Sequence, residues 1–384
     1  MFRKRRWQLA ACCLLTALLT TAAVVGTEAV LLNRLTGSAS ESVRFLRTMN
    51  LLKRNYNGEV DKHQLFDGAI KGMVEAAGDP YTVYLNSKDF QQLSEMTGGS
   101  FGGIGIVFGK RGNDYVVISA LEDNPGAKAG IKSGDIITAI DGKPTRDMNM
   151  EQVANKIRGK HGTVVKLELK GKDGKLRTVS VERGEIKNPS VGGQLLPDTK
   201  IGYIRIAVFN ENTGDDFAKK YAELEKQGMQ ALVLDLRSNP GGVFDAGVAV
   251  AGMLVPKGPI VSVVDKNGNK YEETSSLEKV KYPLAVLVDH GSASAAEIVA
   301  GAIKDTKSGK LFGTKTFGKG SVQSVYRLDS NTAVKITVAK YYTPSGVSIH
   351  NVGIEPDVKV ELPEDATVDV QLKAAEDYLL QQLQ

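Results

Sequence analysis

The sequence predicts a multidomain α/β protein with a helical N-terminal region, a β-rich middle domain carrying helices, and an α/β core. Three observations carry that prediction. Apolar residues recur at helical spacing between 41 and 75. Short alternating strands separated by glycine turns fill 98–186. From about 187 to 362, continuous apolar strands alternate with amphipathic helices, which is the pattern of a mostly parallel sheet. At 384 residues and 42% hydrophobic content the chain can bury more than one core.

The first element is a basic cluster, "RKRR" at 3–6, followed by the apolar run "WQLAACCLLTALLTTAAVVGTEAVLL" at 7–32. Basic residues before an apolar run of this length predict a signal peptide or signal anchor. The run is long for a cleaved signal and no A-x-A site closes it, so 1–35 is read as a single-pass anchor. The positive-inside rule then sends residue 36 onward across the membrane. Cys12 and Cys13 both lie in this run, so the exported part has no thiol to form a disulfide. "LAAC" has too little apolar sequence before it for a lipoprotein signal. The net charge of +5 is otherwise dispersed, which gives no reason to expect nucleic acid as a partner. "TGSASES" at 36–42 is a small, polar spacer without chemistry.

Within 36–97, "SVRFLRTMNLLKRNY" and "HQLFDGAIKGMVEAAG" predict two amphipathic helices, and Gly78 and Pro80 break the pattern at "GDPYTVYL". Such a region reads as a packing or dimerising module.

The middle domain, 98–186, opens on "GGSFGGIGIVFG". This glycine-rich loop lacks a Walker lysine and precedes a strand, so a carboxylate is a better guest than a phosphate. A strand at 114–121, the run "NPGAKAGIKSGDIITAIDGKPT", a helix at 149–160 and two further strands follow. "GGIGI" and "AGIKSGDIITAIDG" resemble PDZ domains, and the resemblance implies capture of protein C-termini by strand addition, with Gly103, Ile104 and Gly105 holding the terminal carboxylate. Arg158 is placed to add a positive charge there, although a solvated surface arginine explains it as well.

In the core, "ALVLDLR" at 231–237 reads as a buried strand and "SNPGG" at 238–242 as a tight turn into a helix. Such a turn is either a plain βα connection or a source of backbone N–H groups for an oxyanion. The strand in "YPLAVLVDHGSASAAEIVAGAIKD" runs into Ser294 at a strand-to-helix turn, where a nucleophile can be held exposed. Ser294 and Glu297 also have the spacing of a capping box, and Ser292 is a rival both as cap and as nucleophile. A serine needs a base. Of His63, His161, His290 and His350, only His290 is close in sequence. A lysine can serve if burial makes it neutral. Lys319, between Gly318 and Gly320 and near Phe317, Val322 and Val325, has that setting, whereas Lys315 lacks such flanks.

Together, "GSASAAEIVAGAIKD" and "FGTKTFGKGSVQS" resemble the carboxyl-terminal processing, or tail-specific, proteases. "LDLRSNPGG", "AIKGMVEAAGDPYTVYL" and "AKYYTPSG" extend the resemblance over about 41–360. It implies a core resembling the crotonase-like fold, Ser294 as nucleophile, Lys319 as general base and Gln323 orienting that lysine. It further implies an oxyanion hole from the N–H of Gly241 or Gly242 together with that of Ala295, a PDZ domain that presents the substrate C-terminus and controls access, and no metal or cofactor. This chain departs from the family pattern at Asp289, His290 and Ala296, and an Asp289 carboxylate near the site would oppose a neutral lysine. Two other readings remain open: a Ser294–His290 hydrolase, and a non-catalytic PDZ scaffold. The expected partners are protein or peptide substrates with free C-termini, the bacterial cell membrane on its extracytoplasmic side, and a second copy in a homodimer. The final segment, 363–384, predicts an amphipathic helix that packs on the core or on a second subunit.

Overall fold

The computed structural model describes residues 37–363 and 366–384, with positions 27, 30, 33 and 34 before them, so the expected anchor at 1–35 falls almost wholly outside the described residues. Among the described residues no helix is long and apolar enough to cross a membrane. The chain divides into two compact units, Met1–Gly78 and Asp79–Gln384.

In the first unit, α1 (Ala39–Asn55) starts where the Ser38 hydroxyl accepts the Glu41 N–H, and α2 (Lys62–Glu75) where Asp61 accepts the His63 N–H. Side-chain oxygens satisfy orphan N–H groups in this way at helix starts. Neither helix buries a residue, and Phe45, Leu46, Leu51 and Phe66 stay exposed.

The second unit begins with β1 (Val83–Leu85) and α3 (Ser87–Gly98). The sequence pattern groups these with the helical region, yet β1 pairs antiparallel with a strand 250 residues downstream, Leu85 opposite Ala333. A strand of three residues carries too little periodicity to announce a partner so far away. The β-rich domain follows: β2 (Ser100–Gly103), β3 (Ile106–Arg111), β4 (Asp114–Ala120), α4 (Pro125–Lys128), β5 (Ile136–Ile140), β6 (Lys143–Pro144), α5 (Met150–Ile157), β7 (Val164–Lys170), β8 (Leu176–Glu182) and β9 (Gly184–Lys187). Five strands form an antiparallel sheet in the order β3-β4-β5-β7-β8, β6 pairs with β5, and β2 pairs with β9. The strict alternation of β7 turns Val165, Leu167 and Leu169 into a core with Tyr115, Ile137 and Val153. A full capping box, Asn149 with Gln152, starts α5.

The core contains β10 (Val191–Leu195), β11 (Ile201–Ile206), α6 (Thr213–Lys226), β12 (Ala231–Asp235), α7 (Phe244–Gly252), β13 (Gly258–Asp265), β14 (Lys270–Ser275), β15 (Leu284–Val288), α8 (Ala295–Asp305), β16 (Lys310–Gly313), β17 (Ser321–Arg327), β18 (Ala333–Tyr342), β19 (Val358–Lys359) and α9 (Val370–Gln382). Its main sheet runs β10-β11-β12-β15-β16-β19, parallel except for β10. Every residue of β12 and β15 is buried, which is why both read as unbroken apolar runs. Leu232, Leu234, Val286 and Val288 face a cluster that includes Phe217, Val250 and Val299 of α6, α7 and α8. Ala231, Val233, Ala285 and Leu287 face Ala375 and Leu379 of α9 on the other side. The C-terminal helix therefore packs on the core. An ion-paired Arg237 locks it there, donating to Asp235 at the end of β12 and to Asp369, the N-cap of α9, at 2.8 and 2.9 Å. A second sheet, β1-β18-β13-β14 with β17 paired to β18, completes the core.

Leu379 is fully buried between α9 and the sheet. Leu379→Ala is therefore expected to destabilise the core by about 2–5 kcal/mol, read as a lower midpoint of urea unfolding. An unchanged midpoint would contradict the packing of α9 as a structural layer.

Candidate active site

Adjacent parallel strands end on the same side of a sheet, so the loops after β12 and β15 meet there. The 238–242 turn packs directly on Ser294. Asn239 O accepts the Ala293 N–H at 2.9 Å, and a Cβ placed on Gly241 would stand 2.6 Å from Ser294 Cβ and 2.9 Å from Ala295 N. With φ at +88°, Gly241 is required both by conformation and by space.

Ser294 adopts φ 54° and ψ −116°, a conformation few non-glycine residues hold without external restraint. The restraint is visible. Its N–H donates to Glu297 Oε2 at 2.9 Å, and its carbonyl accepts from the Tyr341 hydroxyl at 3.0 Å and from the Ile298 N–H at 3.0 Å. The capping-box spacing is thus realised on its acidic side.

Glu297 is completely buried and accepts four hydrogen bonds. Besides the Ser294 N–H, these come from Thr316 Oγ1 (2.6 Å), Gly318 N (2.7 Å) and Lys319 N (2.8 Å). One carboxylate thereby fixes the backbone of Ser294 to that of Lys319. Tyr341 repeats the link, its hydroxyl reaching the carbonyls of both residues, at 3.0 and 2.5 Å. Burial pushes the Glu297 carboxyl above its ordinary value, and the four donors pull it back.

Lys319 is half-buried, and its ammonium lies 5.1 Å from the centre of the Tyr81 ring. Burial holds its pKa below the ordinary lysine value of 10.5, and the positive charge of Lys335 acts in the same direction. Glu297 and Asp79 oppose the shift. Asp79 sits in the "DPYT" turn, accepting the Thr82 hydroxyl at 2.6 Å and the Tyr81 N–H at 3.2 Å. Among the described residues no hydrogen bond joins the Ser294 hydroxyl to the Lys319 amine. Catalytic contacts commonly tighten only when substrate is bound.

Ser294, Lys319, Gln323, Gly241 and Gly242 all line one cavity of about 450 Å³, with Ala295 directly behind Ser294. Gln323 donates to Ser321 Oγ (2.9 Å) and to Thr337 Oγ1 (3.4 Å), so its amide is not on the lysine in this state. Of the three expected oxyanion donors, Gly241 N–H is already taken by Asn239 Oδ1 at 2.8 Å. The N–H groups of Gly242 and Ala295 have no acceptor among the described residues.

The rival groups have other partners. Ser292 is fully buried and donates to Leu236 O at 2.8 Å. Lys315 pairs with Glu355 at 3.0 Å. His290 is exposed and lines a different cavity, with Arg205, Arg237 and Asp289. Asp289 accepts the Ser238 and Gly291 N–H groups and is not among the charges that act on Lys319, so the carboxylates opposing a neutral lysine are Glu297 and Asp79 instead. His63 and His161 are exposed elsewhere. His350 is closer: its ring contacts Tyr81 edge-on, and its buried Nδ1 has no hydrogen-bond partner among the described residues.

Gly103, which ends β2, and Ile104 and Gly105, between β2 and β3, lie apart from this cavity and are buried. Ile104 O accepts the Gly126 N–H at 2.7 Å and Gly105 O the Leu121 N–H at 2.9 Å. Arg158 stacks over Phe101 at 4.4 Å and stands 3.8 Å from Glu95 of α3. Helix α3 also presents Phe90, Leu93 and Thr97 to the Ser294 cavity. In the sequence Glu297 reads only as a cap, and Tyr81, Lys335 and Tyr341 stand in ordinary strand or turn contexts that carry no local signal of a place in this site.

Gly241→Ala is expected to cost about 1–3 kcal/mol through backbone strain and the clash with Ser294. A lowered unfolding midpoint checks this, and wild-type stability would mean that the turn does not rest on the serine as described.

Residues 200–360 match Peptidase family S41, 116–171 match the PDZ domain, and 26–89 match the activating protease CtpB N-terminal domain. The chain is 38% identical to the carboxy-terminal processing protease CtpA of Bacillus subtilis, over 82% of this chain and 68% of that protein. It is 35% identical to CtpB of the same organism, over 83% and 67%. A chloroplastic C-terminal processing peptidase of Tetradesmus obliquus is 36% identical over 80% and 70%. Among solved structures, a photosystem II D1 C-terminal processing protease aligns at 32% identity and a TM-score of 0.49, over 88% of this chain and 97% of that one. On the extent and identity of the matches to the curated relatives the chain belongs to the carboxyl-terminal processing proteases of Peptidase family S41, serine-type peptidases, and it carries a PDZ domain.

Proposed function

We propose that this protein is a membrane-anchored serine endopeptidase, acting outside the bacterial cytoplasm, that takes protein chains by their C-termini and cuts them with a Ser294–Lys319 dyad. One observation carries the dyad: a single buried carboxylate, Glu297, holds both residues at the wall of one cavity, and Lys319 is there desolvated enough to lower its pKa. The neutral Lys319 amine takes the Ser294 hydroxyl proton as Oγ attacks the peptide carbonyl. Negative charge developing on the carbonyl oxygen is received by the N–H groups of Gly242 and Ala295, while Gly241 and Asn239 hold the turn that presents them. The Lys319 ammonium then protonates the leaving amine, and water activated by the same amine releases the acyl group. Gln323, assigned to orient the lysine by the family resemblance, lines the same cavity.

Recognition of free C-termini is assigned to the Gly103–Gly105 loop, with Arg158 standing on Phe101 next to it. Helix α3, touching Arg158 on one face and the Ser294 cavity on another, supports control of access by the PDZ domain. Anchoring rests on "RKRR" and the apolar run that follows it. The exposed apolar residues of α1 and α2 favour a second copy as partner.

The test is turnover of an unfolded protein with an apolar C-terminus by the full chain in detergent. Ser294→Ala should abolish cleavage, Lys319→Ala should reduce kcat by about 10²–10⁴-fold, and His290→Ala should retain most activity. Dependence on His290 with persistence in Lys319→Ala would overturn the dyad. The pH profile carries a sign: only the neutral amine works, so kcat/KM should rise with pH and level off below the ordinary lysine value of 10.5. Removing the nearby charge by Lys335→Met should move that rising limb to higher pH. A limb centred at or above 10.5 in the wild type would contradict the assignment.

A further inference from the structure

The cavity wall contains three cations, Lys319, Lys335 and Arg327, and no carboxylate. Lys319 has its role in the chemistry and Lys335 acts on it only through its charge, whereas Arg327 has no role there. Lys335 is half-buried on β18, and burial alone pushes its ammonium below the ordinary lysine range. Arg327 lies over the Phe90 ring at 5.5 Å. Among the described residues no carboxylate pairs with either. Arg327 is exposed, but the half-buried Lys335 is a partly desolvated charge without a counter-ion, a cost that the folded chain does not recover by itself. A carboxylate arriving in the cavity would recover it.

The strand register says where that carboxylate would sit. In the β17–β18 pair, Gln323 is opposite Thr337, Val325 opposite Lys335 and Arg327 opposite Ala333. Alternate residues share a face, so Gln323, Val325 and Arg327 line the cavity in a row, with Lys335 beside Val325. Successive side chains in such a row are roughly 7 Å apart, the repeat of an extended peptide lying along it. We propose that Lys335, assisted by Arg327, is an anion subsite that recognises a carboxylate of the substrate chain on the order of two to four residues from the bond that is cut. The carboxylate is either an Asp or Glu side chain or the chain's own terminus. The proposal rests on the reading of this cavity as the cleavage site, and it is separate from C-terminus capture in the PDZ domain.

The experiment measures binding without cleavage, using the full chain carrying Ser294→Ala in detergent and three fluorescent octapeptides of one apolar sequence. The first is C-terminally amidated with one Asp, the second amidated with Asn in its place, and the third is the Asn peptide with a free C-terminus. At least one carboxylate peptide should bind about tenfold or more tightly than the neutral one, equivalent to about 1.4 kcal/mol. The peptide that does so identifies the source. Adding Lys335→Met should reduce the preference to below about threefold, Arg327→Gln should weaken it, and Lys335→Arg should keep it. Equal binding of all three peptides overturns the proposal. So does a preference that survives Lys335→Met, including one confined to the free C-terminus, which would then belong to the PDZ domain. Turnover of the unfolded protein by the wild type is measured alongside. A lost preference with intact turnover removes the subsite alone, whereas an intact preference without turnover removes the catalytic reading and leaves the subsite standing.

Discussion

The structure around the site depends on one buried carboxylate. Glu297 points its two oxygens at four donors, and those donors belong to the residues that must be held together: the N–H of Ser294, the N–H groups of Gly318 and Lys319, and the hydroxyl of Thr316. Thr316 in turn accepts the Ile354 N–H at 2.7 Å, so the clamp continues into the chain that closes the core. A buried carboxylate so fully satisfied is tolerable where an unpaired one is not. Its charge opposes a neutral Lys319, and the net lowering shows that desolvation together with Lys335 outweighs it.

The rest of the fold serves to bring the clamp's parts within reach. Adjacent parallel strands β12 and β15 deliver the 238–242 turn and Ser294 to one edge of the sheet. The second sheet delivers Lys319, Gln323, Lys335 and Tyr341 from the other side, through β17 and β18. Arg237, joining β12 to the cap of α9, anchors the base of the 238–242 turn to the far face of the same sheet. Stability and site geometry are therefore carried by the same residues.

Much of this was legible in the sequence. The unbroken apolar runs of β12 and β15, the S-x-x-E spacing at Ser294 and the glycine-flanked Lys319 each have local signatures. What local patterns cannot carry is long-range pairing. Nothing in "GDPYTVYL" says that β1 joins β18 or that Tyr81 covers Lys319. Glu297 was readable as a cap, and three of its four hydrogen bonds come from elsewhere than its own helix start. The oxyanion donors were narrowed for a similar reason. That Asn239 occupies the Gly241 N–H is a matter of side-chain placement in a turn, which the run "SNPGG" leaves open.

Catalysis by Ser294 and Lys319 requires Lys319 to be uncharged more readily than an ordinary lysine. The most direct measurement is the titration of its ε-carbon by NMR in the folded full chain, assigned by comparison with Lys319→Met. The expected result is a pKa below 10.5, rising when Lys335 is replaced by Met. A value at or above 10.5 would mean that Glu297 and Asp79 prevail over burial, and Lys319 could not then be the base.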